Sequence, residues 1–209
     1  MLKKLDLENW NRKEHFEFFA PFDEPFFGVV SEVDCTKAYE YAKKNNISFF
    51  AYYLHKTLEA ANSLEEFKYR IIDNEVFICE DVHAAATIAR EDGSFAFSFT
   101  EFNPDFTIFH DSLKSEIDSV HNSSGLRFNE DAKRIDALHI SSFPWHKLTG
   151  LTHARDLKRK DSVPKITFGK SYKMMNALKL PVAINAHHAL MDGFHVAKFL
   201  AKFQELLDN

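Results

Sequence analysis

A chain of 209 residues, 45% hydrophobic and 27% charged, has the length and balance of one soluble globular unit with a sizeable core, not of a fibrous or disordered polymer. Its net charge of −5 gives no global attraction to nucleic acid or to an anionic membrane, and no apolar run approaches the roughly 20 residues that a span requires. The only two cysteines, Cys35 and Cys79, lack CxxC spacing and are too few for a disulfide framework, and the stretch from Met1 to Trp10 carries no signal-peptide pattern, so the expected location is the cytoplasm.

In chain order, Asp34 is placed to cap a helix ending at Lys44, and Ser48 a second helix running to Asn62. Residues 67–77 read as two strands turning at Asp73-Asn74, and residues 84–99 as a hairpin turning at Asp92-Gly93. Asn103-Pro104 reads as a helix start, with Phe106, Phe109, Leu113, Ile117 and Val120 following at helical spacing and Gly125 beyond. Residues 135–143 and 165–170 are strand candidates. Residues 181–187 place Val182, Ile184 and Ala186 on one face of a strand. From Phe194 onward, Val196, Phe199, Leu200, Phe203 and Leu207 form the apolar stripe of a last helix. There is no repeat and no linker, and strands and helices mix without regular βαβ alternation. The expectation is one α+β domain over residues 1–209, a two-layer sandwich of a mixed sheet with helices packed on it. The 22 phenylalanines are expected mostly in the core, with a few left to line a site.

The segment with most chemistry is His187-His188-Ala189-Leu190-Met191-Asp192-Gly193-Phe194-His195, between the last strand and the last helix. It has three readings. The histidines can be hydrogen-bonded and structural. His188, Asp192 and His195, at i, i+4 and i+7, can ligate zinc from one helix face, although Gly193 is a poor residue inside such a helix and the spacing matches no closed zinc pattern. The third reading is acid–base catalysis: imidazole near neutral pH takes a proton from a hydroxyl or thiol, with Asp192 fixing the turn and Gly193 permitting it.

This segment resembles the HHxxxDGxH signature of chloramphenicol acetyltransferases. Three further segments carry the same resemblance in the same order: residues 9–19 (NWNRKEHFEFF), residues 141–145 (SSFPW) and residues 166–170 (ITFGK). The resemblance implies a chloramphenicol acetyltransferase-like fold and an acyltransferase that moves acetyl from acetyl-CoA, a co-substrate, to a hydroxyl of chloramphenicol or a similar small molecule. It implies no bound cofactor and no metal. His188 is then the general base, Ser141 an oxyanion donor, and Thr167 a contributor through water. Asp192 pairs with Arg12. Lys170 and Trp145 serve the CoA phosphates and the pantetheine arm, and Phe19 and Phe27 the acceptor.

The resemblance also implies a homotrimer with active sites between subunits. A second phosphate lysine of the family falls on Ser48; Lys147 or the run at residues 155–160 can compensate, although such a run is more often a solvated face. The alternatives are a dihydrolipoyl-type acyltransferase, a relative with a different acceptor, and a non-catalytic trimer that kept the fold. A pocket contact discriminates by only about 1–3 kcal/mol, so a few substitutions redirect acceptor choice.

Overall fold

The computed structural model describes residues 2–158 and 160–209. The chain runs β1 (Leu2–Lys4), α1 (Lys13–Phe19), β2 (Phe26–Asp34), α2 (Thr36–Lys44), α3 (Phe49–Asn62), β3 (Tyr69–Ile72), β4 (Glu75–Cys79), β5 (His83–Ala89), β6 (Phe95–Thr100), α4 (Phe106–His121), β7 (Ala137–Phe143), β8 (Lys165–Gly169), β9 (Tyr172–Met174), β10 (Ala177–His187) and α5 (Gly193–Asp208). The main sheet has the order β2-β10-β8-β7-β5-β6, with β9 paired to the far end of β10, and a small sheet β1-β4-β3 stands apart. β7 runs parallel to both β5 and β8, and the other pairings are antiparallel, so the main sheet is mixed.

Alternation along the strands sorts the side chains into two faces. Leu138, Ile140, Ile166, Phe168, Val182 and Ile184 join Leu54, Leu58, Phe109, Phe199 and Phe203 in one core, which puts the helices on a single face. The residues between them on the strands, Ser141 and Thr167 among others, point to the opposite face. The architecture is the α+β sandwich of a mixed sheet with helices. No helix among the described residues is long and apolar enough to cross a membrane. Both cysteines are free and buried, and burial pushes the Cys35 thiol up to about 12, so it is inert.

Local chemistry explains most of the boundaries. Ser48 caps α3 by accepting from Ala51 N at 3.3 Å. Asp73 and Asn74 take φ of 50° and 63°, as a two-residue hairpin turn requires. Asp34 ends β2 and holds the first turn of α2 through the amide and hydroxyl of Thr36, at 3.0 and 2.6 Å. Some expectations are corrected. α4 begins at Phe106, not at Pro104, because the carboxylate of Asp105 accepts from Thr107 N at 2.7 Å and sets the cap there. β1, α1, β2 and β9 had no predicted counterpart. Of the 22 phenylalanines six are buried in the core, Phe19, Phe27, Phe49, Phe50, Phe102 and Phe106 pack against it partly buried, and six are exposed. Several of the rest group around the two half-sites described next.

Candidate active site

β10 ends at His187, and the chain reverses before α5 begins at Gly193. The reversal is pinned from several sides. His188 N donates to Pro25 O at 2.8 Å, and the amides of Leu190 and Met191 donate back to His187 O at 3.0 and 3.2 Å. Ala189 and Leu190 are buried with Phe16, Tyr69 and Val76. Asp192 is the N-cap of α5, accepting from Phe194 N at 3.0 Å, with His195 completing a capping box. Gly193 is therefore the first residue of the helix, with open space where a Cβ would go and no positive φ, so the turn does not require glycine there. Nor do His188, Asp192 and His195 line one helix face, since His188 lies before the helix starts.

Arg12, at the threshold of α1, is buried and joins this turn to the N-terminus. Its Nη1 lies 2.7 Å from Asp192 Oδ2, and its Nη2 donates to His188 O at 3.3 Å. Burial pushes the Asp192 carboxyl up, but Arg12 and His195 outweigh it and hold the group below its ordinary value.

The two histidines alternate as neighbours on a strand should. His187 meets Phe26 edge-on at 5.4 Å, and His188 meets Phe27 at 4.8 Å. Burial, then Arg155, push His187 down to about 4, and its Nδ1 accepts from Ala189 N at 3.3 Å; it is a neutral structural ring. The ring of His188 lies parallel to Phe19, centroids 4.1 Å apart and planes 2° apart. Phe19 and Phe27 thus hold the imidazole between them. Its Nδ1 is buried without a hydrogen-bond partner among the described residues.

Ser141 and Thr167 face each other across the parallel β7–β8 pair, and Thr87 Oγ1 lies 3.3 Å from Ser141 Oγ. All three line one cavity of about 420 Å³, with Phe95, Phe143, Trp145, Leu148, Leu151 and His153. Thr167 Oγ1 is buried and unpartnered among the described residues. The wall opposite the sheet is the loop after β7, which passes close over Gly169: a Cβ there would sit 2.6 Å from Leu148 Cβ and 3.0 Å from Leu148 N. Sequence reading found the two hydroxyls but not Thr87 and Phe95, on the strands of the β5–β6 hairpin, nor Leu148 and His153, which come from a loop without periodicity.

Trp145 is exposed at the rim of this cavity, and Lys170 is exposed just past β8, its amide bonded to His146 O at 3.0 Å. Both lie beyond the C-terminal ends of the parallel strands. Three of the candidates to compensate for Ser48 are engaged by protein partners. Lys147 is engaged by Tyr172 Oη at 2.7 Å and Glu32 at 3.3 Å. Arg155 pairs with Glu24 and stacks over Phe26 at 3.8 Å, and Lys160 donates to Asn74 at 2.7 Å, so these two residues of the run lie on the His187 side. Arg159 lies outside the described residues.

One relationship governs the whole site. Thr167 pairs with Ala183 in the antiparallel β8–β10 register, and His188 lies five residues further on. At about 3.3 Å per residue that is roughly 16 Å, so one chain does not bring the imidazole to its own hydroxyl pair.

The sequence model described as chloramphenicol acetyltransferase matches residues 1–204. The chain belongs to the chloramphenicol acetyltransferase family. A chloramphenicol acetyltransferase of Clostridium perfringens is 28% identical over 211 residues, covering 100% of both chains. A solved chloramphenicol acetyltransferase structure superposes with a TM-score of 0.91 at 29% identity, covering 99% of this chain and 100% of the other. A probable dihydrolipoamide acetyltransferase from Listeria monocytogenes, with a TM-score of 0.67 at 11% identity over 99% and 94% of the two chains, shares the fold alone. Within the chloramphenicol acetyltransferase family this chain is an acyltransferase, and its four family-like segments map onto the His188 turn, the Arg12 clamp and the Ser141–Thr167 cavity.

Proposed function

We propose that this chain transfers the acetyl group of acetyl-CoA to a hydroxyl of chloramphenicol, or of a hydroxylated small molecule close to it, with His188 as general base. The observation that carries the reading is the clamped imidazole: Phe19 and Phe27 fix its plane, and Arg12 and Asp192 fix the turn that bears it. Nδ1 is buried, which assigns Nε2 to the acceptor.

Nε2 takes the hydroxyl proton as the oxygen attacks the thioester carbonyl. The new C–O bond forms, the carbonyl becomes an oxyanion, and its collapse breaks the C–S bond. The departing thiolate of CoA takes the proton back from His188. No acyl-enzyme intervenes. Ser141 donates to the oxyanion and Thr167 contributes through water, in a cavity whose apolar lining strengthens both contacts. Lys170 and Trp145 receive the CoA phosphates and the pantetheine arm.

The roughly 16 Å between base and hydroxyls within one chain supports a composite site, in which His188 of one subunit faces the cavity of its neighbour in a closed homotrimer. The chemistry asks for acetyl-CoA as co-substrate and for no resident cofactor.

The test is release of free CoA from acetyl-CoA by the purified protein, resolved from other thiols by chromatography. Chloramphenicol is expected to stimulate release, and dihydrolipoamide is not. Stimulation by dihydrolipoamide alone would replace the reading with a dihydrolipoyl-type transferase. Binding of CoA with no acceptor-dependent release from either would leave a non-catalytic scaffold.

A further inference from the structure

The Ser141–Thr167 cavity contains a group that the reaction above does not use. His153 reaches it from the loop between β7 and β8, and its Nε2 is buried without a hydrogen-bond partner among the described residues. Several other buried or half-buried histidines of the fold each hold a partner. His55 Nε2 lies 2.9 Å from Asn103 O, His83 Nδ1 accepts from Phe102 N at 3.0 Å, and His187 Nδ1 accepts from Ala189 N. A structural histidine is satisfied by its own fold; an orphaned buried nitrogen on the wall of a cavity implies a ligand that satisfies it.

A second orphan accompanies it. Thr167 Oγ1 lines the same cavity and also lacks a partner among the described residues. The rest of the wall is mainly apolar, from Ala89, Phe95, Phe143, Leu148 and Leu151. A mainly apolar pocket with a few placed polar groups is how a small organic ligand is oriented. Burial, then the charge of Lys165, push the His153 pKa down, so the ring is neutral near pH 7 and offers one donor and one acceptor nitrogen.

We propose that His153 is a specificity-determining residue: its Nε2 hydrogen-bonds a second polar group of the acceptor, close to the hydroxyl that is acylated, while the aromatic and aliphatic wall takes the acceptor's apolar body. The ligand is therefore a small hydroxylated molecule with a second polar group and an apolar body, not a simple alcohol. This rests on the reading of the cavity as the acceptor site.

The experiment compares wild type, His153→Leu and His153→Gln with two acceptors, chloramphenicol and its analogue lacking the second free hydroxyl, following thiol release from acetyl-CoA. With chloramphenicol, His153→Leu is expected to raise the acceptor KM about five- to tenfold, the weight of one neutral hydrogen bond. KM for acetyl-CoA stays within twofold, showing that the fold and the CoA side are kept, and His153→Gln recovers part of the loss. With the deoxy analogue, wild type and His153→Leu become alike. Equal KM values for wild type and His153→Leu on both acceptors overturn the inference while the enzyme reading stands. A wild type that turns over neither acceptor overturns the acceptor reading, and the role of His153 falls with it.

Discussion

Arg12 Nη1 and Asp192 Oδ2 lie 2.7 Å apart although 180 residues separate them in sequence. The pair ties the start of α1 to the N-cap of α5, and the same guanidinium reaches the carbonyl of His188. Position of His188 and anchoring of the N-terminal segment thereby share one side chain. Arg12→Ala leaves the Asp192 carboxylate half-buried without its cation, and is expected to cost about 3 kcal/mol, the lower end for breaking such a pair. Urea unfolding reads this. The rate should fall with it, and Arg12→Lys should recover stability better than activity, because a single ammonium does not reproduce the two-pronged contact.

His188→Ala is expected to lower kcat by at least about 100-fold, the lower range for loss of a general base. KM for acetyl-CoA should hold, because Lys170 and Trp145 lie on the other half-site. Steady-state thiol release measures both. An unchanged kcat removes His188 from the chemistry.

The His188 turn and the Arg12–Asp192 contact were legible in the sequence for different reasons. The His188 segment is contiguous, so its residue types and spacing are visible directly. The Arg12–Asp192 pair was visible only through resemblance, since no local pattern links positions so far apart. Helices α3 and α5 followed from caps and apolar stripes. The N-terminal elements did not, because α1 is short and β2 alternates with only Val33 well buried on one side. The cavity was half legible: Ser141 and Thr167 stood out only through the resemblance, whereas His153 and Leu148 come from a loop that passes close over Gly169.

That contact is testable in its own right. A Cβ at residue 169 meets both the side chain and the backbone of Leu148, so the loop must lift. Gly169→Ala is expected to destabilise by about 1–3 kcal/mol, as overpacking does. It should also raise the acceptor KM, because the lifted loop carries Leu151 and His153 away from the hydroxyls. Thermal unfolding and acceptor titration check the two effects. Loss of stability with an unchanged acceptor KM would detach the loop from the cavity's function.

His187 gives a pH signature. Its folded pKa is pushed down to about 4 from an ordinary 6.5, by burial first and Arg155 second. Between those values the unfolded chain binds a proton that the folded chain refuses. The stabilisation is therefore complete above about pH 6.5 and is lost as pH falls toward 4, by up to about 3 kcal/mol at 1.36 kcal/mol per unit. In urea titrations at pH 7, 6, 5 and 4.5, wild type should weaken steadily, and His187→Gln should weaken less over the same range. Parallel slopes would place the acid sensitivity elsewhere, with His139 the next candidate, also pushed to about 4 by burial.

The proposal of a composite site makes the strongest separation of outcomes. Ser141→Ala and His188→Ala are each expected to be nearly inactive alone, because each removes one half of every site. If the halves come from neighbouring subunits of a trimer, unfolding the two variants together and refolding them at equal amounts restores some sites. One subunit must bring His188, with a chance of one half, and its neighbour must bring Ser141, with the same chance. About a quarter of the sites are then intact, and about a quarter of wild-type activity should return. A site contained within one chain never holds both residues in such a mixture, and activity would stay at the level of the single variants. The roughly 16 Å between His188 and Thr167 along the β10 register argues for the first outcome.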